Sequence, residues 1–277
     1  MFSQPLNTAD PFIGYATLCQ QALSGGDVQE SRGHVYREVF GASLSFDLRA
    51  GYPLLDRKAT NFDAIIKELL WFLRGDTNID TLGCGIWDQW ANDKGDVGPV
   101  YGKQWRDFGG TKSRKGVDQV SDLIENIKTN PTSRRHLVSA WNPSELPKMG
   151  LPPCHYAFQF RVSGGMLDLL VNQRSADLAL GVPFNVASYA ALSLIIGAYT
   201  NTTPRFLHFA FGSAHLYREH EQGMRAMLLR GAREESNPNL TLVSDDDELP
   251  PFDELTPDNF ILDGYDPHPP IKFEVHV

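Results

Sequence analysis

Three neighbouring pieces of the chain decide its architecture: Met166-Leu-Asp-Leu-Leu-Val-Asn-Gln173, Asn185-Val-Ala-Ser-Tyr-Ala-Ala-Leu-Ser-Leu-Ile-Ile-Gly-Ala-Tyr-Thr200 and Phe206-Leu-His-Phe-Ala-Phe211. The first and third are short apolar runs and predict strands. The middle one is apolar on every side, so it predicts a helix enclosed by the core rather than one lying on the surface. Its apolar part, Val186 to Tyr199, is too short to cross a bilayer. Working outward, His136–Trp141, Tyr156–Val162 and Val35–Arg49 read as further strands, the last ending at the turn Ala50-Gly51-Tyr52-Pro53. The chain closes on an apolar-alternating end, Ile271–Val277. Helices are expected over Pro11–Leu23, from a cap at Thr60 or Asn61 to Arg74 with a stop at Gly75, over Val117–Thr129 and over Leu216–Arg230. Strands and helices mix without strict alternation, so the fold class is α+β, or a loose α/β, around one large sheet. No repeat or linker divides residues 1–277, which predicts a single domain.

The 277 residues carry 25 basic and 34 acidic side chains, a formal net charge of -9. An acidic chain is a poor general binder of nucleic acid, which needs a basic face to displace counterions. A small phosphorylated ligand is still open to it, because a few converging arginines suffice. Cys19, Cys84 and Cys154 form no CxxC pair and no even-numbered framework, so reduced thiols in a cytoplasmic protein are expected. The start of the chain shows no signal-peptide pattern. The polar stretch from Arg233 to Asp258, with Asp245-Asp246-Asp247-Glu248, reads as a solvated excursion.

Candidate chemistry lies in the loops and strand ends. Cys154 follows two prolines in Leu151-Pro-Pro-Cys-His155; it is either a buried structural thiol or a nucleophile, which needs positive charge nearby. Cys154 and His155 are adjacent on a strand and point apart, which argues against a direct Cys–His dyad. Arg134 and Arg135 diverge at a strand start and read either as a solvated turn or as ligand contacts. Arg174 ends an apolar strand, where a bare charge is costly, so an anionic partner is expected. Glu68 borders the apolar stripe of its helix and reads as an edge carboxylate or an acid–base group. Asn185 reads as a helix N-cap or a ligand amide. Trp87 and Trp90 share the Gly-rich loop Gly83–Gln104 and are either core or a stacking surface.

Taken together, these segments resemble thymidylate synthases and the related deoxypyrimidine-monophosphate hydroxymethylases of phages. The resemblance covers nearly the whole chain from about Phe40. It rests on Glu68-Leu-Leu-Trp-Phe-Leu-Arg-Gly-Asp-Thr-Asn78, Ile86-Trp-Asp-Gln-Trp-Ala91 and Gly98-Pro-Val-Tyr-Gly-Lys-Gln-Trp-Arg106. Further support comes from Ser133-Arg-Arg-His-Leu-Val-Ser-Ala-Trp-Asn142, Pro153-Cys-His155, Gln173-Arg-Ser175, Gly181-Val-Pro-Phe-Asn-Val-Ala-Ser-Tyr189 and Gly264-Tyr-Asp-Pro-His-Pro269. It implies a large mixed sheet with flanking helices and a sheet-mediated homodimer. It also implies one-carbon transfer from 5,10-methylenetetrahydrofolate to C5 of dUMP, with no metal. By the same resemblance Cys154 adds to the base, Glu68 and Tyr101 move protons, and Asn185 reads the ring. Arg174, Ser175, Gln173 and the partner subunit's Arg134 and Arg135 take the nucleotide, with His215 and Tyr217 on its sugar. Asp177, Trp87, Trp90, Gly181, Tyr265 and Val277 fall on the folate side. Base choice has a physical reading of its own: uracil offers an N3 donor beside an O4 acceptor, and one primary amide answers both.

The chain departs from the synthases at three places. Where they carry an Arg-Thr-Gly-Thr-Gly-type loop, this chain has Glu30-Ser31-Arg32-Gly33-His34, with Ser31 at the arginine position. Asn172 stands before Gln173, and Gly212-Ser213-Ala214 before His215; Asn172, Ser213 and the Gly41-Ala42-Ser43 run resemble the phage dCMP hydroxymethylase. Trp90, Tyr265 and the tail resemble the synthases. Losing a closure arginine and gaining small polar groups favour a wet site, hence water rather than hydride as the final nucleophile. The expectation is therefore a dUMP hydroxymethylase, with thymidylate synthase as the alternative. A silent nucleotide- or RNA-binding regulator is disfavoured by the joint presence of Cys154, Glu68, Tyr101 and Asn185.

Overall fold

The computed structural model describes residues 12–244 and 248–276. Its centre is a seven-stranded mixed sheet of β1 (Asp27–Ser31), β2 (His34–Phe40), β3 (Ser43–Asp47), β4 (Leu137–Ser139), β5 (His155–Ser163), β6 (Met166–Asp177) and β7 (Thr203–Tyr217), ordered β1-β2-β7-β6-β5-β4, with β3 also paired to β7. β5 (His155–Ser163) and β6 (Met166–Asp177) form an antiparallel hairpin turned by Gly164 and Gly165, both at positive φ. β6 then crosses through α5 (Gly181–Thr200) into β7 (Thr203–Tyr217), and this pair is parallel. α5 is long and apolar enough to cross a membrane by length and composition alone, yet most of it is buried inside the fold. It packs on β6 and β7, and α2 (Phe62–Arg74) packs on it in turn.

α2 starts and stops as its sequence predicts. The Asn61 side chain accepts the Ala64 N–H at 3.1 Å, and Gly75 takes the left-handed conformation that ends the helix. Its stripe is buried, from Ile65 to Leu73, with Trp71 fully enclosed. α1 covers Ile13–Gly25; of its expected residues, Pro11 lies outside the described ones. α3 is Tyr101–Asp107, so the expected loop Gly83–Gln104 ends in a helix; α4 is Gln119–Thr129, and β4 is only Leu137–Ser139.

Tertiary pairing overrides three expectations. Val35–Arg49 is not one strand. It splits into β2 (His34–Phe40) and β3 (Ser43–Asp47) at Gly41, whose φ is 78°. Both halves lie against the single long β7, β2 on Ser213–Tyr217 and β3 on Phe206–Ala210. For the same reason Leu216 and Tyr217 belong to β7, and helix α6 begins only at Glu221 and ends at Leu229. The segment 233–258 is not wholly solvated. β8 (Asn239–Leu242) pairs with β9 (Phe260–Asp263), and Leu240 and Leu255 are buried. Within that segment Asp245, Asp246 and Asp247 lie outside the described residues. The tail forms no strand up to His276, although Phe273 is buried.

β1 (Asp27–Ser31) and β2 make a tight hairpin whose two loop residues, Arg32 and Gly33, have φ values of 53° and 81°. Such turns match strand twist and favour Asn-Gly. An arginine here is strained, and strain of this kind clusters at functional sites.

Candidate active site

The carboxyl ends of β6 and β7, the start of α5, the Pro-Pro-Cys turn and the β1–β2 hairpin enclose one cavity of about 470 Å³. Cys154, Glu68, Tyr101, Asn185, Gln173, Arg174, Ser175, Asp177, Trp87, Trp90, Gly181, His215 and Tyr217 all line it. These residues come from segments far apart in sequence; the sheet and α5 are joined by α2, which carries Glu68, and by the loop and helix that carry Trp87, Trp90 and Tyr101.

Cys154 immediately precedes β5, whose pairing with β6 is irregular between His155 and Ala157. Its backbone N–H donates to the Tyr101 hydroxyl at 2.8 Å, which fixes the phenol beside the thiol. Burial pushes the thiol's pKa up, while Arg174, the Tyr101 hydroxyl and the charge of Arg32 pull it down. Arg174 Nη2 lies 4.0 Å from Sγ. The expected partner of Arg174 was an anion; the structure supplies backbone acceptors first. Its Nε and Nη2 donate to the carbonyls of Pro153 and Pro152 at 2.9 and 2.7 Å. A guanidinium has five N–H donors, so donors remain for an anion in the cavity. The arginine thus clamps the Pro-Pro-Cys turn and charges the pocket at once.

His155 is no base for Cys154. Its ring stacks on Tyr101 at 4.2 Å and its Nδ1 meets the Tyr189 hydroxyl at 2.8 Å. Burial pushes its pKa down to about 3, so the imidazole stays neutral.

Glu68 is buried in the cavity wall and is not an edge carboxylate on the surface. It is 8% exposed, and its Oε1 accepts from Trp87 Nε1 at 2.7 Å. Burial raises its pKa from 4.5 to about 7, and the Trp87 bond opposes that only in part. A carboxyl poised near 7 can both give and take protons at neutral pH. The shift also bears on stability. Between 4.5 and 7 the folded state holds a proton that the unfolded chain has released, so stability falls as pH rises through that window. Glu68→Gln removes the penalty while keeping an acceptor for Trp87. The variant should match the parent at pH 4.5 and exceed it by about 1–3 kcal/mol at pH 8. Urea denaturation at the two pH values measures this; an equal difference at both would mean Glu68 is not protonated on folding.

Asn185 does not cap α5. The helix begins four residues earlier at Gly181, and Pro183 is accommodated in its first turn. The amide is instead oriented by Gln173. Gln173 Nε2 donates to the Ser175 carbonyl at 3.0 Å, an acceptor only. The same nitrogen donates to Asn185 Oδ1 at 3.0 Å. That chain of donors sets which way both amides face. Asn185 is left with its nitrogen and one oxygen lone pair for a ligand.

Asp177 Oδ1 accepts from the N–H groups of Ala179 and Leu180 and shapes the turn into α5. His215 is buried beside Ser213, and burial lowers its pKa. Trp87 and Trp90 meet edge-on at 5.4 Å and form an aromatic wall.

Some expectations fall elsewhere. Arg134 and Arg135 are exposed and do not line this cavity. Tyr265 lies outside it: its hydroxyl accepts from Thr60 N–H and donates to the Leu55 carbonyl. Asn172 also lies outside it, whereas Ser31 and Ser213 line it. Val277 lies outside the described residues, but Val275 and His276 line the cavity. Sequence reading missed His34, Tyr36, Phe184 and His276 as cavity residues. The stretch Glu30-Ser31-Arg32-Gly33-His34 draws attention only for the arginine it lacks, and singles out neither His34 nor Tyr36. The thymidylate synthase family model matches residues 13–277. The family match, the mixed sheet and the thiol, carboxyl, phenol and amide on one cavity agree: this chain belongs to the thymidylate synthase family, whose members transfer a one-carbon unit from methylenetetrahydrofolate to dUMP.

Proposed function

We propose that this chain is a dUMP hydroxymethylase, in which water completes the transfer. The Cys154 thiolate adds to C6 of the uracil ring and makes C5 nucleophilic. C5 attacks the methylene carbon of methylenetetrahydrofolate, and the C5 proton leaves with help from Tyr101. Tetrahydrofolate departs with its electron pair and leaves an exocyclic methylene. A water molecule adds to that methylene and gives its proton to Glu68. The sulfur then leaves C6 with its bonding pair, giving 5-hydroxymethyl-dUMP. Arg174 and Ser175 hold the phosphate end, with Arg32 supplying charge from the hairpin where the synthase arginine is absent. Asn185, oriented by Gln173, reads uracil; His215 and Tyr217 face the sugar; Trp87, Trp90, Asp177 and Gly181 face the folate.

The observation that carries the water step is the polar rim. Ser31 and Ser213 both line the cavity, beside a carboxyl whose pKa of about 7 suits activation of water. Asn172 lies outside the cavity and adds no polar group to this rim. One observation favours the alternative, thymidylate synthase: Trp87 and Trp90 line the same space as an aromatic wall, a surface suited to keeping water out. The two reactions differ in the fate of the folate. A synthase oxidises it to dihydrofolate by giving up hydride; a hydroxymethylase returns tetrahydrofolate. Near-ultraviolet absorbance during turnover with dUMP should show no dihydrofolate matching the nucleotide converted. One-for-one dihydrofolate would reverse the assignment.

The proposal includes a homodimer. Arg134 and Arg135 are exposed and do not line their own cavity, as residues serving a partner's nucleotide would be. Mixing Cys154→Ser chains with Arg134→Ala/Arg135→Ala chains should restore activity through hybrid sites. Hybrids that form and stay inactive would place the arginines' role elsewhere.

A further inference from the structure

The last described residues are fastened to the cavity rim by groups that the reaction does not use. Phe273 packs against Gly223 so closely that a Cβ there would lie 2.6 Å from the ring. His220 Nε2 meets the Glu274 carbonyl at 2.8 Å. Beyond these anchors, His276 turns inward, and its side chain is only 6% exposed. It sits among three rings: His34 at 4.1 Å, Tyr217 at 4.5 Å and His220 at 5.1 Å.

Its Nε2 is buried and makes no hydrogen bond among the described residues. The nearest opposite charge, Glu219 Oε2, is 3.9 Å away, beyond hydrogen-bond reach. A buried nitrogen left in this state is costly unless something else satisfies it. His34, Glu219 and His276 each present one donor atom here, all within 4.8 Å of one another. We propose that these three side chains bind a divalent transition metal, Zn²⁺ in the first instance, as a latch pinning the tail to the β1–β2 hairpin and to the turn after β7.

The donor chemistry selects the ion. Two imidazoles and one carboxylate suit zinc, whereas calcium and magnesium take oxygen ligands. Three protein ligands leave a fourth position for water. Zinc–ligand bonds of about 2.0–2.2 Å place tetrahedral donors about 3.4 Å apart, so binding draws the group together by about 1 Å. Glu219, half exposed, can move by that much, and His34 is the first residue of β2, next to the two-residue hairpin tip. The three residues belong to different segments, so no local ligand spacing betrays them, and the sequence reading expected no metal. The site stands at the cavity rim, and its occupancy requires neither nucleotide nor folate.

The test uses the full-length chain with Zn²⁺ alone, titrated against a chromophoric chelator, and with Co²⁺ as a spectroscopic reporter. One equivalent per chain should bind, with tetrahedral-type cobalt absorption. His34→Gln, Glu219→Gln and His276→Gln should each weaken binding at least tenfold while leaving the circular dichroism and melting temperature of the metal-free chain unchanged. A variant that also lowers the metal-free melting temperature is replaced by the Ala substitution at the same position, read by the same criterion. No stoichiometric binding by the parent would overturn the proposal. So would unchanged affinity in His34→Gln and Glu219→Gln. A cobalt–thiolate charge-transfer band that is lost only in Cys154→Ser would assign the metal to the thiol and equally overturn it.

Discussion

Replacing Cys154 by serine should lower turnover by at least about 10³-fold while leaving dUMP binding largely intact. The proposed chemistry begins with sulfur adding to the base, and a hydroxyl at the same place is a far weaker nucleophile. Nucleophile deletions in enzymes that work through covalent intermediates reach losses of about 10⁶. The surroundings of the site predict that binding survives. Arg174 is held by the Pro152 and Pro153 carbonyls rather than by the thiol, so its guanidinium keeps its place when sulfur is lost. Tyr101 likewise holds the backbone N–H of residue 154, not its side chain. Turnover near the parental rate, with binding intact, would remove Cys154 from the mechanism. Loss of binding together with turnover would mean the substitution disturbed the turn and not the chemistry alone.

Changing Asn185 to aspartate should reverse the choice of base. Gln173 Nε2 already holds one oxygen of residue 185 and would continue to hold it in a carboxylate. The free position then becomes an acceptor in place of a donor. Uracil O4 loses its partner and meets a negative charge; the cytosine amino group gains an acceptor. Each mismatched buried hydrogen bond costs about 1–3 kcal/mol. The ratio of kcat/KM for dCMP to that for dUMP should rise by about 10²–10⁴. An unchanged ratio would show that the amide does not read the ring. Gln173 makes the prediction sharper, because its bond to the Ser175 carbonyl prevents both amides from simply turning over.

Elements with their own local code were legible in the sequence. α2 has an Asn cap, an amphipathic stripe and a Gly stop, and it forms within these bounds. α5 was recognisable as a core helix because it is apolar all round. Its start was misplaced because Asn185 looks like a cap, while the first turn tolerates Pro183. Pairing with β7 was not legible. Alternation from Val35 to Arg49 gives no sign that Gly41 divides two strands lying end to end on one partner. Nor does Leu216 announce that β2 holds it in the sheet rather than in the following helix.

The site divides in the same way. Cys154, Arg174 and Asn185 stand in segments whose residue types suit their places in the cavity. Glu68 was visible, but not its orientation: a position at the border of a stripe can face water or core, and contact with Trp87 decides it. Gln173's control of the Asn185 amide needs two side chains and a carbonyl to meet across a strand and a helix. His34 and His276 are separated by nearly the whole chain, and only folding puts their rings 4.1 Å apart.

The most direct test of the proposed reaction is the mass of its nucleotide product formed from dUMP and methylenetetrahydrofolate in oxygen-18 water. The account predicts 5-hydroxymethyl-dUMP whose new hydroxyl carries the heavy isotope, with tetrahydrofolate returned. Unlabelled thymidylate formed one-for-one with dihydrofolate would contradict it, showing that the Trp87–Trp90 wall excludes water and hydride completes the transfer.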